Sequence, residues 1–410
     1  MKVTEIEVHE VMLEYQDFLA YQLNHYYGPA KRVVYVVHTD TGLEGLGESG
    51  RAEPSEVVEE YIGTNPFDWV GDEMSLGLGT AMYDLMGKSV GVPVYKLFGQ
   101  RYRAWVPVGS WTVSTDPVRM AETVAEYASR GYTWMKYHLS PFENVIHQTE
   151  EMETVAPEGF KIHYDLTMGG TDDHIPELLG KLSQYRIAGC FEDPLPGEDI
   201  EGYIELRQRT TLPIVLHHFP MGATYEVLMR PADAYMLGHA KIGDAIRKAG
   251  LFSANNSPFM LQNVGGTITR AMTTHMMSAF PSSNFHFFGD TETWRSDVVN
   301  ERLEPINGFV RVPELPGLGL TLDREELERL KKLQLPDQEK WIIKSQFKNG
   351  TCMYNIADPN NSIFMVRPDR KRLIPMGYDT PISTEYWDDD GTLAYKKMFQ
   401  RIEQEGIILE

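Results

Sequence analysis

The feature that most constrains the fold is a series of short apolar runs, each ending in a polar residue. The gaps between these ends are 27, 27, 26, 21 and 23 residues, and the ends are His138, Asp165, Glu192, His218, His239 and Gln262. Each gap is about the length of one βα unit, and the intervening segments, such as 116–130 and 174–185, have the pattern of amphipathic helices. Alternating strands and helices predict a parallel sheet, and this many units predict a barrel.

The polar ends have a predictable location in such a barrel. The carboxyl ends of the strands surround one mouth, where active sites are built. Lys136 and His138 are two residues apart on a strand, so their side chains share one face. His217 and His218 are neighbours and point in opposite directions, and we expect His218 to face the lumen. A salt bridge of Lys136 with the acids of the mouth is the structural alternative.

The first part of the chain, residues 1–115, has a different pattern. Lys2 to Leu13 alternates like a strand, Arg32 to Asp40 is a β-branched run, and Leu43 to Glu48 completes a hairpin. A helical region follows from about Pro54 to Leu97. These elements predict an α+β domain that precedes the barrel.

Residues 15–29 are rich in Tyr, Asn and His and are predicted to form a loop. On such a loop Tyr21, Asn24 and Tyr26 would line the mouth of a pocket, together with Gln262 of the barrel, as substrate-binding residues. The open alternative is that the aromatic side chains pack on their own domain.

The last part of the chain is unlike the repeated units. The barrel is predicted to span residues 116–333, and residues 334–410 form a C-terminal extension. The extension contains a strand-like run at Ser362 to Val366, a turn-rich segment at Pro375 to Ser383 and a helix at Leu393 to Glu405. The pattern leaves open whether it is an extra subdomain or a segment that wraps over the rest.

Composition excludes some partners. The formal net charge is -21, from 38 basic and 59 acidic residues, which disfavours nucleic acid and anionic membranes but not an anionic substrate in a locally cationic pocket. Cys190 and Cys352 cannot form a disulfide framework, which favours a reducing compartment. The sequence shows neither a signal-peptide pattern nor a membrane span, so we expect a cytoplasmic protein.

The segment Ala81 to Gly99, AMYDLMGKSVGVPVYKLFG, resembles a family signature. It is similar to the A-x-x-D-x-x-G-K helix followed by G-x-P-x-x-x-L-x-G of the mandelate racemase and muconate lactonizing branch of the enolase superfamily. Lys136-x-His138 then matches the Lys-x-Lys of that branch, Asp165 its first metal carboxylate, and Glu192-Asp193-Pro194 its Glu-Glu/Asp-Pro. The resemblance extends to about residue 333. It implies an α/β fold with an α+β cap on a modified TIM barrel of the (β/α)7β type, and a homo-oligomer.

The resemblance also implies a reaction. Members of this branch bind a small-molecule carboxylate substrate on Mg²⁺, remove the proton next to the carboxylate and hold the enolate on the metal. Because that proton is weakly acidic, the developing charge needs a fixed cation and a base within hydrogen-bond reach. By resemblance, Asp165 and Glu192 are metal ligands, and Lys136 and His138 are catalytic.

Three positions depart from the family pattern. His218 falls at the third metal carboxylate, and imidazole suits Mn²⁺ or Zn²⁺ better than Mg²⁺, so the site holds another metal, Mg²⁺ weakly, or none. His138 replaces the second lysine, and a neutral histidine can act as a base near pH 7. The Asp and His of the family dyad fall near Gly238-His239 and Gln262-Asn263, so the dyad is predicted to be absent. His239 stays a catalytic candidate.

The leading hypothesis is a lyase or isomerase that dehydrates a sugar acid through an enolate. Dehydration needs only one base and one acid, whereas a two-base racemase needs the missing dyad. Two alternatives are a transition-metal enzyme of different chemistry on the same fold, and a ligand-binding member without activity. The alternative fold is an ordinary (β/α)8 barrel with unrelated N-terminal strands. His286, Asp290 and Glu292, at the predicted last strand, are minor site candidates.

Overall fold

The computed structural model describes residues 1–167, 174–219, 222–358 and 380–410. Its N-terminal part contains an antiparallel sheet in the order β1-β2-β3. The strands are β1 (Val3–Leu13), β2 (Ala30–Thr39) and β3 (Glu44–Ser49). These are the three predicted strands, with ends shifted by a few residues, because β-branched residues on one buried face favour a pleated surface.

The segment between β1 and β2 is a helix, α1 (Asp17–Tyr26), so the predicted loop at residues 15–29 is wrong. Leu19, Leu23 and Tyr26 are buried. Their spacing of four and three residues places them on one helical face, where burial stabilises the helix. Abundant Tyr, Asn and His residues concealed this spacing in the sequence.

The signature segment joins the two parts of the molecule. It forms α3 (Leu76–Val90), which follows α2 (Ser55–Tyr61) and precedes the short α4 (Tyr95–Phe98). The fully buried carboxylate of Asp84 accepts hydrogen bonds from the backbone N–H groups of Leu46 and Leu318 and pairs with Lys88 at 2.7 Å. The signature aspartate and lysine therefore bind the N-terminal hairpin and the chain that follows the barrel to one helix.

Seven parallel strands form the barrel wall in the order β11-β10-β9-β8-β7-β6-β5, and β4 (Trp105–Pro107) precedes them. They are β5 (Ser110–Val113), β6 (Trp134–His138), β7 (Lys161–Asp165), β8 (Ala188–Glu192), β9 (Ile214–Leu216), β10 (Ala234–Gly238) and β11 (Phe259–Gln262). Phe287 bridges Val108, and Phe288 bridges Gln262. The segment around residue 287 therefore joins the two edge strands, as a modified TIM barrel requires.

Helices alternate with these strands, as the sequence predicts. They are α5 (Pro117–Ser129), α6 (Val145–Val155), α7 (Ile175–Leu182), α8 (Ile200–Arg209), α9 (Thr224–Met229), α10 (Ile242–Ala254) and α11 (Thr267–Ala279). After the barrel, β12 (Phe309–Arg311) pairs with β4, and α12 (Arg324–Lys332) follows. None of the helices in the described residues is both long enough and apolar enough to cross a membrane.

The C-terminal extension contains a four-stranded antiparallel sheet in the order β15-β13-β14-β16. Its elements are β13 (Ile342–Gln346), β14 (Cys352–Ile356), β15 (Ser383–Trp387), the predicted helix α13 (Leu393–Glu405) and β16 (Ile408–Leu409). The predicted strand at Ser362 to Val366 and most of the turn-rich segment lie outside the described residues.

The C-terminal extension forms a subdomain and also packs against the loop that follows β6. It has a small core of its own, in which Ile342 and Tyr395 are buried. The hydroxyl groups of Ser345 and Thr384 both donate to the backbone carbonyl of Phe142, in the loop after β6. The extension therefore stabilises the backbone that follows His138.

Candidate active site

Lys136 is the central residue of the barrel mouth. Its fully buried ammonium lies 2.9 Å from Oδ2 of Asp165 and 2.7 Å from Oε2 of Glu192. The parallel register places the ends of β6, β7 and β8 side by side, which brings these residues together. Burial lowers the pKa of Lys136, but the charges of Asp165 and Glu192 outweigh it and raise the pKa to about 12. The ammonium of Lys136 therefore stays charged at physiological pH, and in this form it cannot accept a proton.

His138 has both ring nitrogens in close polar contacts. The indole of Trp111 donates to Nδ1 over 3.0 Å, and Nε2 lies 3.0 Å from Oδ2 of Asp165. An indole N–H can only donate, so Nδ1 is unprotonated, and the proton of the neutral ring is on Nε2, facing the carboxylate. To accept a substrate proton, the ring of His138 would have to give up one of these contacts.

Glu192 is enclosed by cationic and hydrogen-bonding groups. Besides Lys136, its carboxylate contacts Nε2 of His163 at 2.7 Å and Nδ1 of His217 at 3.0 Å. Burial raises the pKa of Glu192, yet the positive charge of Lys136 and the contacts with His163 and His217 lower it well below its ordinary value. The buried carboxylate is therefore ionised, with hydrogen bonds from Lys136 and His217 on Oε1 and close contacts of Lys136 and His163 with Oε2.

These contacts determine whether Mg²⁺ fits between Asp165 and Glu192. Oδ1 of Asp165 accepts the N–H of Thr167 over 2.8 Å, and Oδ2 contacts Lys136 and His138. Mg²⁺ requires near-octahedral oxygen ligands, whereas the carboxylate oxygens here already have partners and an ammonium lies between them. As the side chains lie here, the Lys136 ammonium takes the space between the two carboxylates, which is the salt-bridge alternative. Mg²⁺ could bind between Asp165 and Glu192 only if Lys136 moved aside.

His218 lines the cavity at the barrel mouth with His138 and Asp165, but its side chain pairs with Asp193 rather than with the two predicted metal carboxylates. Strand β9 ends at Leu216, so His217 and His218 lie beyond it and strand alternation does not apply to them. His217 is the residue that contacts Glu192. His218 is 53% exposed, and its Nδ1 lies 2.5 Å from Oδ2 of Asp193.

Asp193 and His218 form a histidine–carboxylate pair. Asp193 is fully buried, and its Oδ1 accepts the backbone N–H of His217 over 2.8 Å. The hydrogen bond to Asp193 raises the pKa of His218. Sequence reasoning missed Asp193 because it treated this residue only as part of the Glu-Asp-Pro match; an acid directly after a strand end was the available signal.

A cavity of about 720 Å³ opens at this end of the barrel. Its wall includes His138, Asp165, His217, His218, His239 and Lys248. His239 follows β10 with a positive φ of 48°, and its side chain is exposed to the cavity. Burial lowers the pKa of His239 to about 4, and the charges of His217, Arg32 and Lys136 act in the same direction.

The predicted substrate-binding residues lie in two places. Gln262 is inside the barrel mouth, with Oε1 3.5 Å from Nζ of Lys136. Tyr21, Asn24 and Tyr26 are on α1 and do not line this cavity. Tyr21 stacks on Trp341 of the extension at 5.5 Å, and Tyr26 is buried against the same ring. The predictions for Tyr21, Asn24 and Tyr26 are therefore corrected. These residues lie on α1, and the extension packs against this helix through Trp341.

Comparison with known proteins bears on the family and the fold of the chain. Residues 119–327 match the family model described as "Enolase C-terminal domain-like". The arabinonate dehydratase of Saccharolobus solfataricus is 23% identical over 257 residues, which are 60% of this chain and 69% of that one. The D-xylonate dehydratase of Haloferax volcanii is 26% identical over 351 residues, 71% of this chain and 83% of that one.

A solved structure shows the same fold. It is an enolase from Thermobispora bispora complexed with magnesium and formate, with a TM-score of 0.68 and 21% identity, and the match covers 81% of this chain and 93% of that one. At this identity the likeness establishes the fold alone.

Proposed function

The chain belongs to the Enolase C-terminal domain-like family and is an enzyme of the enolase superfamily, and on that premise we propose that it dehydrates a hydroxylated carboxylate of the acid-sugar class. The observation that carries the proposal is the pair His218 and His239. Both line one cavity, and their pKa values are displaced in opposite directions. Two titratable groups with pKa values pushed apart are the pattern of an acid and a base in one site.

The proposal assigns the base role to His239. Its lowered pKa keeps the imidazole neutral at physiological pH, so a ring nitrogen can accept the proton next to the substrate carboxylate. The side chain is exposed to the cavity, where a substrate can approach it. Lys136, whose raised pKa keeps it protonated, cannot take this role.

The acid role falls to His218. Asp193 holds its Nδ1, which leaves Nε2 as the other ring nitrogen available to donate. In the proposed reaction the α C–H bond breaks as His239 takes the proton, and the β C–O bond breaks as His218 protonates the leaving hydroxyl. Water leaves, a C=C bond forms, and the resulting enol tautomerises to the 2-keto acid.

Lys248 is the proposed contact for the substrate carboxylate. It lines the cavity, and its Nζ pairs with Asp244 at 2.7 Å. A fixed positive charge on the wall lowers the cost of the negative charge that develops as the proton leaves.

The divalent metal implied by the resemblance is not part of the proposed steps. Magnesium is present in the Thermobispora bispora structure, but in this chain the Lys136 ammonium lies between Asp165 and Glu192. Asp193, His217 and His218 could together hold a transition metal, and the proposed steps do not require such an ion. The family roles of Lys136 and His138 as electrophile and base stay predictions.

The test separates the two proton transfers. A panel of acid sugars, including arabinonate and D-xylonate, is incubated in D₂O with wild type, His239→Ala and His218→Ala. Wild type is expected to produce a 2-keto acid. His239→Ala should lose both dehydration and deuterium exchange at the α carbon. His218→Ala should lose dehydration but keep exchange into recovered substrate.

The matched control is His147→Ala, which removes a histidine that is 55% exposed on α6 and should behave as wild type. If His239→Ala exchanged deuterium at the rate of the wild type, His239 would be excluded as the base. Absence of exchange with every acid of the panel would contradict the proposed reaction.

A further inference from the structure

A second polar layer lies inside the barrel, one step below the mouth. His163 and Cys190 precede Asp165 and Glu192 by two residues on β7 and β8, so their side chains point into the same lumen. His286, in the segment that closes the barrel, reaches the same point. One ligand atom of each residue lies within 4.8 Å of the others, and all three side chains are buried.

We propose that His163, Cys190 and His286 hold a Zn²⁺ ion inside the barrel. One thiolate and two imidazoles are ligands that zinc takes in proteins, and three protein ligands leave one tetrahedral position for water. Oxygen-seeking ions such as Mg²⁺ have no affinity for this set. The site lies one layer below the mouth, and His163 connects the two layers through its contact with Glu192 at 2.7 Å.

The ligand geometry supports the proposal. Nδ1 of His163 lies 3.0 Å from Nε2 of His286, so these two nitrogens already converge. The other nitrogen of His163 lies 2.7 Å from Oε2 of Glu192. A carboxylate on the second nitrogen of a histidine ligand fixes its tautomer and orientation in zinc sites. The ring of His286 is held by stacking on Trp134, with centroids 4.1 Å apart.

The local charge also favours a cation. Asp165 and Glu192 bring two buried negative charges, and Lys136 offsets one of them. When the thiol of Cys190 is neutral, Asp165, Glu192 and Lys136 together carry one excess negative charge. Burying such a charge away from water is unfavourable. A dication bound to the thiolate form of Cys190 makes the same group neutral.

The sequence pattern marks His286 only as a minor site candidate and does not indicate a zinc site. Two of the ligands come from strands β7 and β8 and the third from the segment that closes the barrel, so they lack the short spacings by which zinc motifs are recognised. Only closure of the barrel brings them together. Because the layer is fully buried, we expect the ion to be acquired as the chain folds and to resist removal from the native protein.

The test uses cobalt as a spectroscopic substitute for zinc. The chain is expressed in minimal medium with Co²⁺, and its near-ultraviolet spectrum is recorded. A thiolate-to-cobalt charge-transfer band, with one cobalt per chain, is expected. Because it is measured on the wild type, this result does not depend on whether a variant folds, nor on the proposed dehydration.

The chain offers a matched pair of controls, since its cysteines are Cys190 and Cys352. Cys190→Ser should lose the band and the bound metal, whereas Cys352→Ser should keep both. His286→Asn should also lose the metal. Wild type without the band, or Cys190→Ser with undiminished metal, would overturn the proposal and leave the three residues as a buried polar layer.

Discussion

The ring of His217 lies against the backbone of Gly238, and a Cβ on residue 238 would be only 2.1 Å from Nε2 of His217. Gly238 falls where the resemblance places the aspartate of the family dyad. The missing side chain thus provides the space that His217 uses to reach Glu192. The absence of the dyad aspartate and the contact of His217 with Glu192 are therefore parts of one rearrangement.

Substitution Gly238→Ala tests this dependence. The added methyl group must displace His217, and overpacking of this kind costs about 1–3 kcal/mol. We expect a lower free energy of unfolding, measured with urea, and loss of dehydration. Gly250→Ala is the control, because a Cβ there meets nothing within 4 Å on helix α10. Equal stability of the two variants would contradict the role of Gly238.

Lys136→Met tests the salt bridges of the mouth. The variant leaves Asp165 and Glu192 buried without their shared cation, and removing one partner of a buried ion pair costs about 3–5 kcal/mol. Urea unfolding should show a loss of that size. Lys181→Met, at a lysine that is 61% exposed and paired within its helix, should change stability by less than about 0.5 kcal/mol.

Magnesium is expected to have little effect. If the Lys136 ammonium holds the place between Asp165 and Glu192, millimolar Mg²⁺ should leave the melting temperature of the protein unchanged. A specific site at 100 times its Kd would add about 2.7 kcal/mol to the free energy of unfolding. A saturable rise in melting temperature that is absent in Asp165→Asn would show that the metal displaces the lysine.

The contact between the extension and the barrel should depend on pH. Tyr386 donates to the buried carboxyl of Glu143, and burial raises the pKa of Glu143 from its ordinary 4.5 to about 8. Because burial makes the folded pKa the higher one, the free energy of unfolding is greatest below pH 4.5 and falls as the pH rises through 8, where the buried carboxyl ionises. We expect Glu143→Gln to reduce the loss of stability over this range. An unchanged slope in urea titrations would contradict the assignment.

The sequence predicted the framework well because the framework is repetitive. The βα alternation, the strand ends at His138, Asp165 and Glu192, and helix α13 follow from local periodicity. The short motif at Asp84 identified the family because its side chains join distant segments through specific hydrogen bonds. Such features are present in local residue patterns.

The site was less predictable because it depends on where strands stop. Strand β9 ends at Leu216, and no local pattern indicates this end. Because the strand stops there, His217 rather than His218 contacts Glu192. The three substrate-binding predictions on α1 failed because Trp341, more than 300 residues away, covers that helix. Contacts of that kind appear only in the folded chain.

The opposite pKa displacements of His218 and His239 are the centre of this account, and NMR titration of histidine-labelled protein measures them directly without a substrate. Single variants assign the two ring signals. The account predicts that His218 titrates above 6.5 and His239 near 4, and that Asp193→Asn lowers only the former. Titration of both rings at one pH, or in the reverse order, would contradict the assignment of acid and base.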